Sequence, residues 1–214
     1  MIWFLPGCTT AAHHPEAAEK LKDYIMESGI PEAPCCKRDI SALKDGDTVI
    51  TCCTLCDLMF AERMPDVRIK SVYEYLLEDP GFPWPDLARE AITLQDCWRK
   101  RNDRVIQAAV RACLHRMNVQ IVELPDERDR KNYCGIWLNE PADPVCMRLA
   151  PETFEEIEKH RSLLSKEEQA AAMQARVMIY PTEKVIVYCN GCERGIRLGG
   201  RTPVHMVELL AMGL

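Results

Sequence analysis

The sequence predicts an α/β fold: two pseudo-repeated lobes of mostly parallel sheet flanked by helices, with cysteines at the carboxyl ends of the strands. Three observations predict it. Short β-branched or apolar runs alternate with stretches of helical periodicity, the order that builds parallel sheets. Thr48-Val-Ile-Thr-Cys-Cys53-Thr-Leu-Cys56 matches Lys184-Val-Ile-Val-Tyr-Cys189-Asn-Gly-Cys192, and Tyr73-Glu-Tyr-Leu-Leu77 matches Met206-Val-Glu-Leu-Leu210, a duplicated domain and not a solenoid. Between the copies, residues 79–86 hold three prolines and a glycine, which no helix tolerates. They divide the chain into a first lobe (residues 1–80), a Pro-rich linker (residues 81–90) and a second lobe (residues 91–214).

The elements follow in order. Ile2-Trp-Phe-Leu5 is a short apolar run, expected as a buried strand. Pro15 suits the first position of a helix running to about Ser28, and Gly29 ends it. Thr48–Thr51 is β-branched and reads as a strand; a helix from about Lys70 to Leu77 closes the lobe. In the second lobe Ala91–Gln95 is a strand. Ile106, Val110, Cys113 and Met117 then recur at helical spacing between Asp103 and Met117. Val119–Leu124 is a strand. Pro151 to about Arg176 is helical, with a break at Ser165, where Ser165-Lys-Glu-Glu168 has capping-box form. Lys184–Tyr188 is the last strand and Val204–Met212 the last helix.

Composition excludes several classes. Hydrophobic residues make up 47% and charged residues 28%, so the chain buries a core and is not disordered. The net charge is −6, which gives no broad electrostatic footprint for nucleic acid or anionic membrane. No apolar run approaches the ~18–20 residues of a membrane span. Leu5-Pro-Gly-Cys8 faintly suggests a lipoprotein cleavage box, but no basic residue precedes it and the apolar run is too short for a signal peptide. Twelve cysteines without a signal point to a reducing, cytoplasmic compartment and to metal or redox chemistry.

Cysteine placement carries most of the functional information. Cys8, Cys53, Cys97 and Cys189 each follow a strand, and open parallel sheets bind ligands at the carboxyl ends of their strands. Two sets result: Cys8, Cys35, Cys36, Cys53 and Cys56; and Cys97, Cys134, Cys189 and Cys192. A Cys-x-x-Cys pair brings two sulfurs from one turn to one centre. Soft thiolates select zinc, Cu(I) or iron–sulfur clusters.

Pro-Gly-Cys8, the Cys35-Cys36 pair and Cys53-x-x-Cys56, repeated as Asp-Cys97, Cys134-Gly and Cys189-x-x-Cys192, resemble the cysteine-rich CCG family. That family includes the cysteine-rich subunit of heterodisulfide reductase and the iron–sulfur subunits of glycolate oxidase and anaerobic glycerol-3-phosphate dehydrogenase. The segment from His205 to Leu210 is similar to the one following the Cys-x-x-Cys there. The resemblance implies [4Fe-4S] clusters, non-cubane on a complete five-cysteine set, and Cys8, Cys35, Cys36, Cys53 and Cys56 would form such a set. It also implies an electron-donor protein subunit and reduction of a small thiol or disulfide substrate. The sequence departs from the family pattern in places. The first-lobe gaps are short, with 26 residues between Cys8 and Cys35 and 16 between Cys36 and Cys53. Lys37 stands where the family has Gly, and Tyr133 where it has the first Cys of the second pair. The second set, with four thiols, suits a cubane cluster or zinc.

The remaining candidates have plainer readings. Cys52 neighbours Cys53 on a strand and points to the opposite face, into core. Cys113 lies on an apolar helix face. Cys146, in a loop-like segment, is an alternative for the ligand missing at Tyr133. His13 and His14 read as a solvated helix start with a substrate role as the alternative, and His205 as structural. Arg99, Lys100 and Arg101 read as a solvated run, with cluster neutralisation or an acidic partner as alternatives. The expected function is therefore that of an iron–sulfur electron-transfer protein. A zinc-stabilised scaffold and a metal-free thiol oxidoreductase on Cys53/Cys56 or Cys189/Cys192 are the competing readings.

Overall fold

The computed structural model describes residues 1–127 and 132–214, and two parallel sheets carry its chain. The first sheet contains β1 (Ile2–Leu5), β2 (Thr48–Thr51) and β3 (Arg68–Ser71), in the order β1-β2-β3. The second contains β4 (Ala91–Leu94), β5 (Gln120–Glu123), β6 (Lys184–Val187) and β7 (Thr202–His205), in the order β5-β4-β6-β7. Every pairing is parallel, with Phe4 opposite Ile50 and Leu94 opposite Ile186. The carboxyl ends of each sheet therefore share one edge. The pseudo-repeat is visible in this order: β1-β2-β3 corresponds to β4-β6-β7, with β5 added outside β4.

Helices α1 (Cys8–His13) and α2 (Pro15–Glu27) follow β1, α3 (Thr54–Arg63) follows β2, and α4 (Val72–Glu78) follows β3. In the second lobe α5 (Arg104–Arg116) joins β4 to β5. Then come α6 (Pro144–Leu149), α7 (Pro151–Glu158) and α8 (Lys166–Val177), α9 (Asn190–Leu198) after β6, and α10 (Met206–Ala211) after β7. Local chemistry sets the boundaries. Pro15 begins α2 and the Asp103 carboxylate accepts from the Ile106 N–H to begin α5. At Ser165 the expected capping box forms: its hydroxyl accepts from the Glu168 N–H, and the Glu168 carboxylate accepts from the Ser165 N–H. Ser165→Ala should cost about 1 kcal/mol, read as a lower urea midpoint at unchanged slope.

The structure corrects several boundaries. The stretches expected as single helices over 70–77 and 204–212 each divide into an edge strand and a short helix. Ser71 and His205 end the strands and cap the helices that follow. The stretch from Pro151 to Arg176 breaks before Ser165 as expected, giving α7 and α8. The segment around Cys146, expected as loop, is α6, begun by the Asp143 cap and Pro144.

Packing exchanges helices between the lobes. α4 of the first lobe lies on α5 of the second, and α10 of the second lies on α2 of the first. Leu21, Ile25, Tyr73 and Leu76 join Val110, Leu114, Val207 and Leu210 in one apolar cluster. Each such side chain, fully buried, contributes about 1.5–3 kcal/mol. A second cluster under α3 holds Met59, Phe60 and Leu43, and takes Cys146, Ala150 and Phe154 from α6 and α7. Phe82 of the Pro-rich segment is buried edge-to-face against Tyr24. Among the described residues no helix is long and apolar enough to cross a membrane.

Candidate metal centre

The two Cys-x-x-Cys turns are built alike. Cys53 and Cys189 are the extended N-cap residues of α3 and α9, so Cys56 and Cys192 fall at the third helical position. These are the positions at which a helix start offers unpaired backbone N–H groups. A sulfur there faces donors and the positive end of the helix, which favours thiolate. Cys8 opens α1, and Cys97 is the residue before a short 3-10 turn at Trp98–Lys100. Strands β1, β2, β4 and β6 thus each deliver a thiol beyond their carboxyl end.

In the second set the sulfurs of Cys97, Cys189 and Cys192 all lie within 4.8 Å of one another and are buried, a group able to hold a metal ion. Cys134 is buried beside them: the Cys192 thiol donates to the carbonyl of the preceding residue, Tyr133, at 3.6 Å. Gly135 makes this approach feasible. Its φ is +57°, and a Cβ there would lie 1.9 Å from the Gly191 carbonyl oxygen. The Cys134-Gly135 turn therefore lies backbone against backbone on the Cys189-x-x-Cys192 turn. Tyr133 occupies the place expected for a further cysteine. It is buried, and its hydroxyl reaches the Cys192 carbonyl at 3.3 Å.

In the first set Cys36 and Cys56 sulfurs are 3.4 Å apart. Cys56 also reaches Cys53, and Cys35 reaches both Cys36 and Cys8. Cys8 is exposed and Cys35 half-buried, while Cys36, Cys53 and Cys56 are buried. Gly7, at φ +83°, backs onto Cys53, where a Cβ would come within 2.7 Å of the Cys53 Cβ. Cys52 and Cys113 are core, as the sequence suggests. Burial pushes the Cys113 thiol up to about 12. Cys146 does not replace a ligand at Tyr133. It is buried in the apolar cluster of Cys36, Cys53 and Cys56, and its neighbours are Lys37, Asp143, Cys36 and Cys8.

Within each set the thiols share protons unequally. A hydrogen bond from the Cys56 thiol holds Cys53 at about 7 against its burial, helped by the Cys56 N–H, Arg99 and the Leu55 N–H. Cys56 is raised by its hydrogen-bond interactions with Cys36 and Cys53 and by burial. In the second set Cys134 is lowered, because donation from Cys192 and Cys97 and the charge of Arg99 outweigh burial; Cys192 is raised by burial and by that donation. Metal ligation requires the thiols as thiolates, so binding releases the protons that the raised members hold.

Residues around the thiols depart from their sequence reading. Arg99 is not part of a solvated run: its Nη1 donates to Thr54 Oγ1 at 3.2 Å, and its guanidinium stacks 3.7 Å over the Trp137 ring. Lys100 pairs with buried Asp57 at 2.7 Å. A cleft of about 250 Å³ opens beside Cys53 between the lobes, walled by His13, Lys37, Arg99, Asn190 and Arg194. Its size suits a small molecule. His205 is structural, its Nδ1 accepting from the Val207 N–H. His14 is not at a solvated helix start. It is buried between Glu193 (2.9 Å) and Glu208 (3.2 Å), with its ring 4.6 Å from that of His205.

This His14 cluster ties α2 to α9 and α10 and makes stability depend on pH. Burial opposes the His14 charge, but Glu193 and then Glu208 outweigh it, and its pKa is raised above the ordinary 6.5. The contribution is complete below pH 6.5 and is lost as pH rises through the folded pKa. Burial likewise opposes the Glu193 charge, yet hydrogen bonds from His14 and Arg197 hold it at about 2. Its contribution is present above the ordinary carboxylate range and is lost as pH falls through about 2. Urea midpoints should therefore decline above pH 6.5 in the wild type and stay level there in His14→Gln.

No protein-family model matches the chain, and no curated protein matches it significantly.

Proposed function

We propose that the protein is a cytoplasmic iron–sulfur electron-transfer protein in which each thiol set holds a metal centre. The convergence of Cys97, Cys189 and Cys192 on one buried point, with Cys134 also buried next to them, carries this reading. Four thiols fit a [4Fe-4S] cluster, which supplies one electron at a time. The first set, with Cys8, Cys35, Cys36, Cys53 and Cys56, has the donor number of the five-cysteine non-cubane pattern of the CCG family that its sequence resembles. It opens on the cleft beside Cys53, where a small thiol or disulfide substrate has access. Reducing a disulfide to two thiols takes two electrons and two protons. The chain's own groups hold the substrate, exclude water and keep the thiols ionised; an electron-donor protein subunit supplies the electrons. Arg99, Lys37 and Arg194 line the cleft, with Lys37 paired to Asp143 and Arg194 to Glu140.

One observation favours zinc at the second set. Its four thiols are enclosed, with Cys97 and Cys192 at 0% exposure, and a closed tetrathiolate is the usual structural zinc site. In that reading the protein is a zinc-stabilised scaffold without redox activity. Anaerobic purification followed by iron, sulfide and zinc assays and an EPR spectrum of the reduced sample separates the two. Iron and labile sulfide with a cluster signal are expected. Zinc alone, in a colourless sample, would replace the redox reading with the scaffold.

A further inference from the structure

We infer that Arg99 is a positioning residue shared by both thiol sets: a single guanidinium that braces the two Cys-x-x-Cys turns and acts as their common counter-charge. The inference rests on the reading above that both sets bind metal.

The geometry joins segments from every part of the site. Arg99 lies two residues past Cys97. Its Nη1 donates to Thr54, the first residue inside Cys53-x-x-Cys56. Its Nη2 lies 3.5 Å from the point where a Cβ on Gly191 would sit, inside Cys189-x-x-Cys192. Its plane covers Trp137, three residues past Cys134. One side chain thus touches both Cys-x-x-Cys turns and the turn that delivers Cys134.

The charge balance is equally specific. The other cations near the cleft have carboxylate partners: Lys37 with Asp143, Arg194 with Glu140 and Lys100 with Asp57. Arg99 has none among the described residues, and its buried Nε has no hydrogen-bond partner. A half-buried cation without a counter-charge is costly. The ionisable groups whose negative charge favours it are the sulfurs of Cys189, Cys134, Cys97 and Cys53. Four thiolates around a divalent ion leave a net negative charge. Loading either set therefore supplies the anion that Arg99 lacks, and Arg99 favours loading of both.

Anoxic Co²⁺ titration of the full chain, read by thiolate-to-metal absorption, tests this in two backgrounds. Cys53→Ser/Cys56→Ser leaves the second set, and Cys189→Ser/Cys192→Ser leaves the first. Adding Arg99→Gln should weaken Co²⁺ binding about 10–100-fold in each background, the usual cost of losing an outer partner of a metal site. Arg99→Lys, which keeps the charge but not the fork, should recover most of that loss. A residue serving only to fill space would leave Lys no better than Gln. Weakening at one set only, or at neither, overturns the inference while leaving two metal sites standing. A wild type that binds neither Co²⁺ nor iron overturns the metal reading and this inference together. Should Arg99→Gln not fold, Arg99→Lys decides: affinities in both backgrounds close to those with Arg99 support the shared counter-charge, and a loss at either set as large as that of a Cys→Ser change refutes it.

Discussion

If the second thiol set holds the proposed metal, Cys192→Ser should empty it and destabilise the whole chain, while Cys113→Ser should leave the metal content unchanged. Both sulfurs are buried, but their surroundings differ. Cys192 sits at the third position of α9 with Cys97, Cys134 and Cys189 around it. Cys113 packs among apolar side chains and donates to the Tyr73 carbonyl at 3.6 Å. A structural thiolate site contributes about 10–16 kcal/mol of apparent metal-binding free energy, and removing one of four ligands forfeits much of it. The loss reaches the entire fold because the second set draws on the ends of β4 and β6 and on the 132–137 turn together. Elemental analysis and thermal melting check this. Equal metal content and coincident melting in Cys192→Ser and wild type would reduce the cluster to ordinary packing.

Gly135→Ala has the second largest expected effect, without touching any sulfur. A methyl group there would stand 1.9 Å from the Gly191 oxygen and 2.9 Å from the Cys192 Cα. Neither backbone atom can give way without moving a ligand, and the φ of +57° is strained for alanine as well. The variant should lose about 3 kcal/mol or more and, on the metal reading proposed above, the capacity of the second set to bind metal. Gly200→Ala is the control. Its φ is +90° but no atom lies within 4 Å of the added carbon, so only the backbone strain of about 1 kcal/mol remains. Chemical denaturation of the two variants separates these costs; equal midpoints would show that the two turns are free to part.

The strands that carry thiols are the most legible part of the fold. Ile2–Leu5, Thr48–Thr51, Ala91–Leu94 and Lys184–Val187 are short apolar or β-branched runs buried in their sheets, and burial leaves its mark on composition. Two of the four edge strands, β3 and β7, are not legible. Arg68-Ile-Lys-Ser71 is largely polar, and Thr202-Pro-Val-His205 contains a proline, which an edge strand tolerates and a central strand does not. Each runs without a loop into a helix, so the apolar residues of strand and helix merge into one apparent helix. Helices α3 and α9 escape sequence reading for a different reason. Their starts are defined by cysteines, which stand where Ser, Thr, Asp or Asn usually signals a cap.

The grouping of thiols follows from position after strands and from the Cys-x-x-Cys spacing. The surroundings of the site do not. Arg99 sits in a basic run that reads as surface, and its burial depends on the approach of Thr54, Trp137 and Gly191 from other parts of the chain. His14 meets Glu193 across 179 positions. Such pairs leave no local periodicity. The placement of Cys146 beneath the first set has the same origin: α6 and α7 cross back onto α3, and no spacing rule announces a return of that length.

The reciprocal seating of α4 on α5 and α10 on α2 gives the molecule the character of a homodimer written as one polypeptide. Each half supplies the surface that keeps the other's apolar helices dry, so neither is self-sufficient. Severed near Gly81, the two pieces would expose those faces and find stability again only in each other's company.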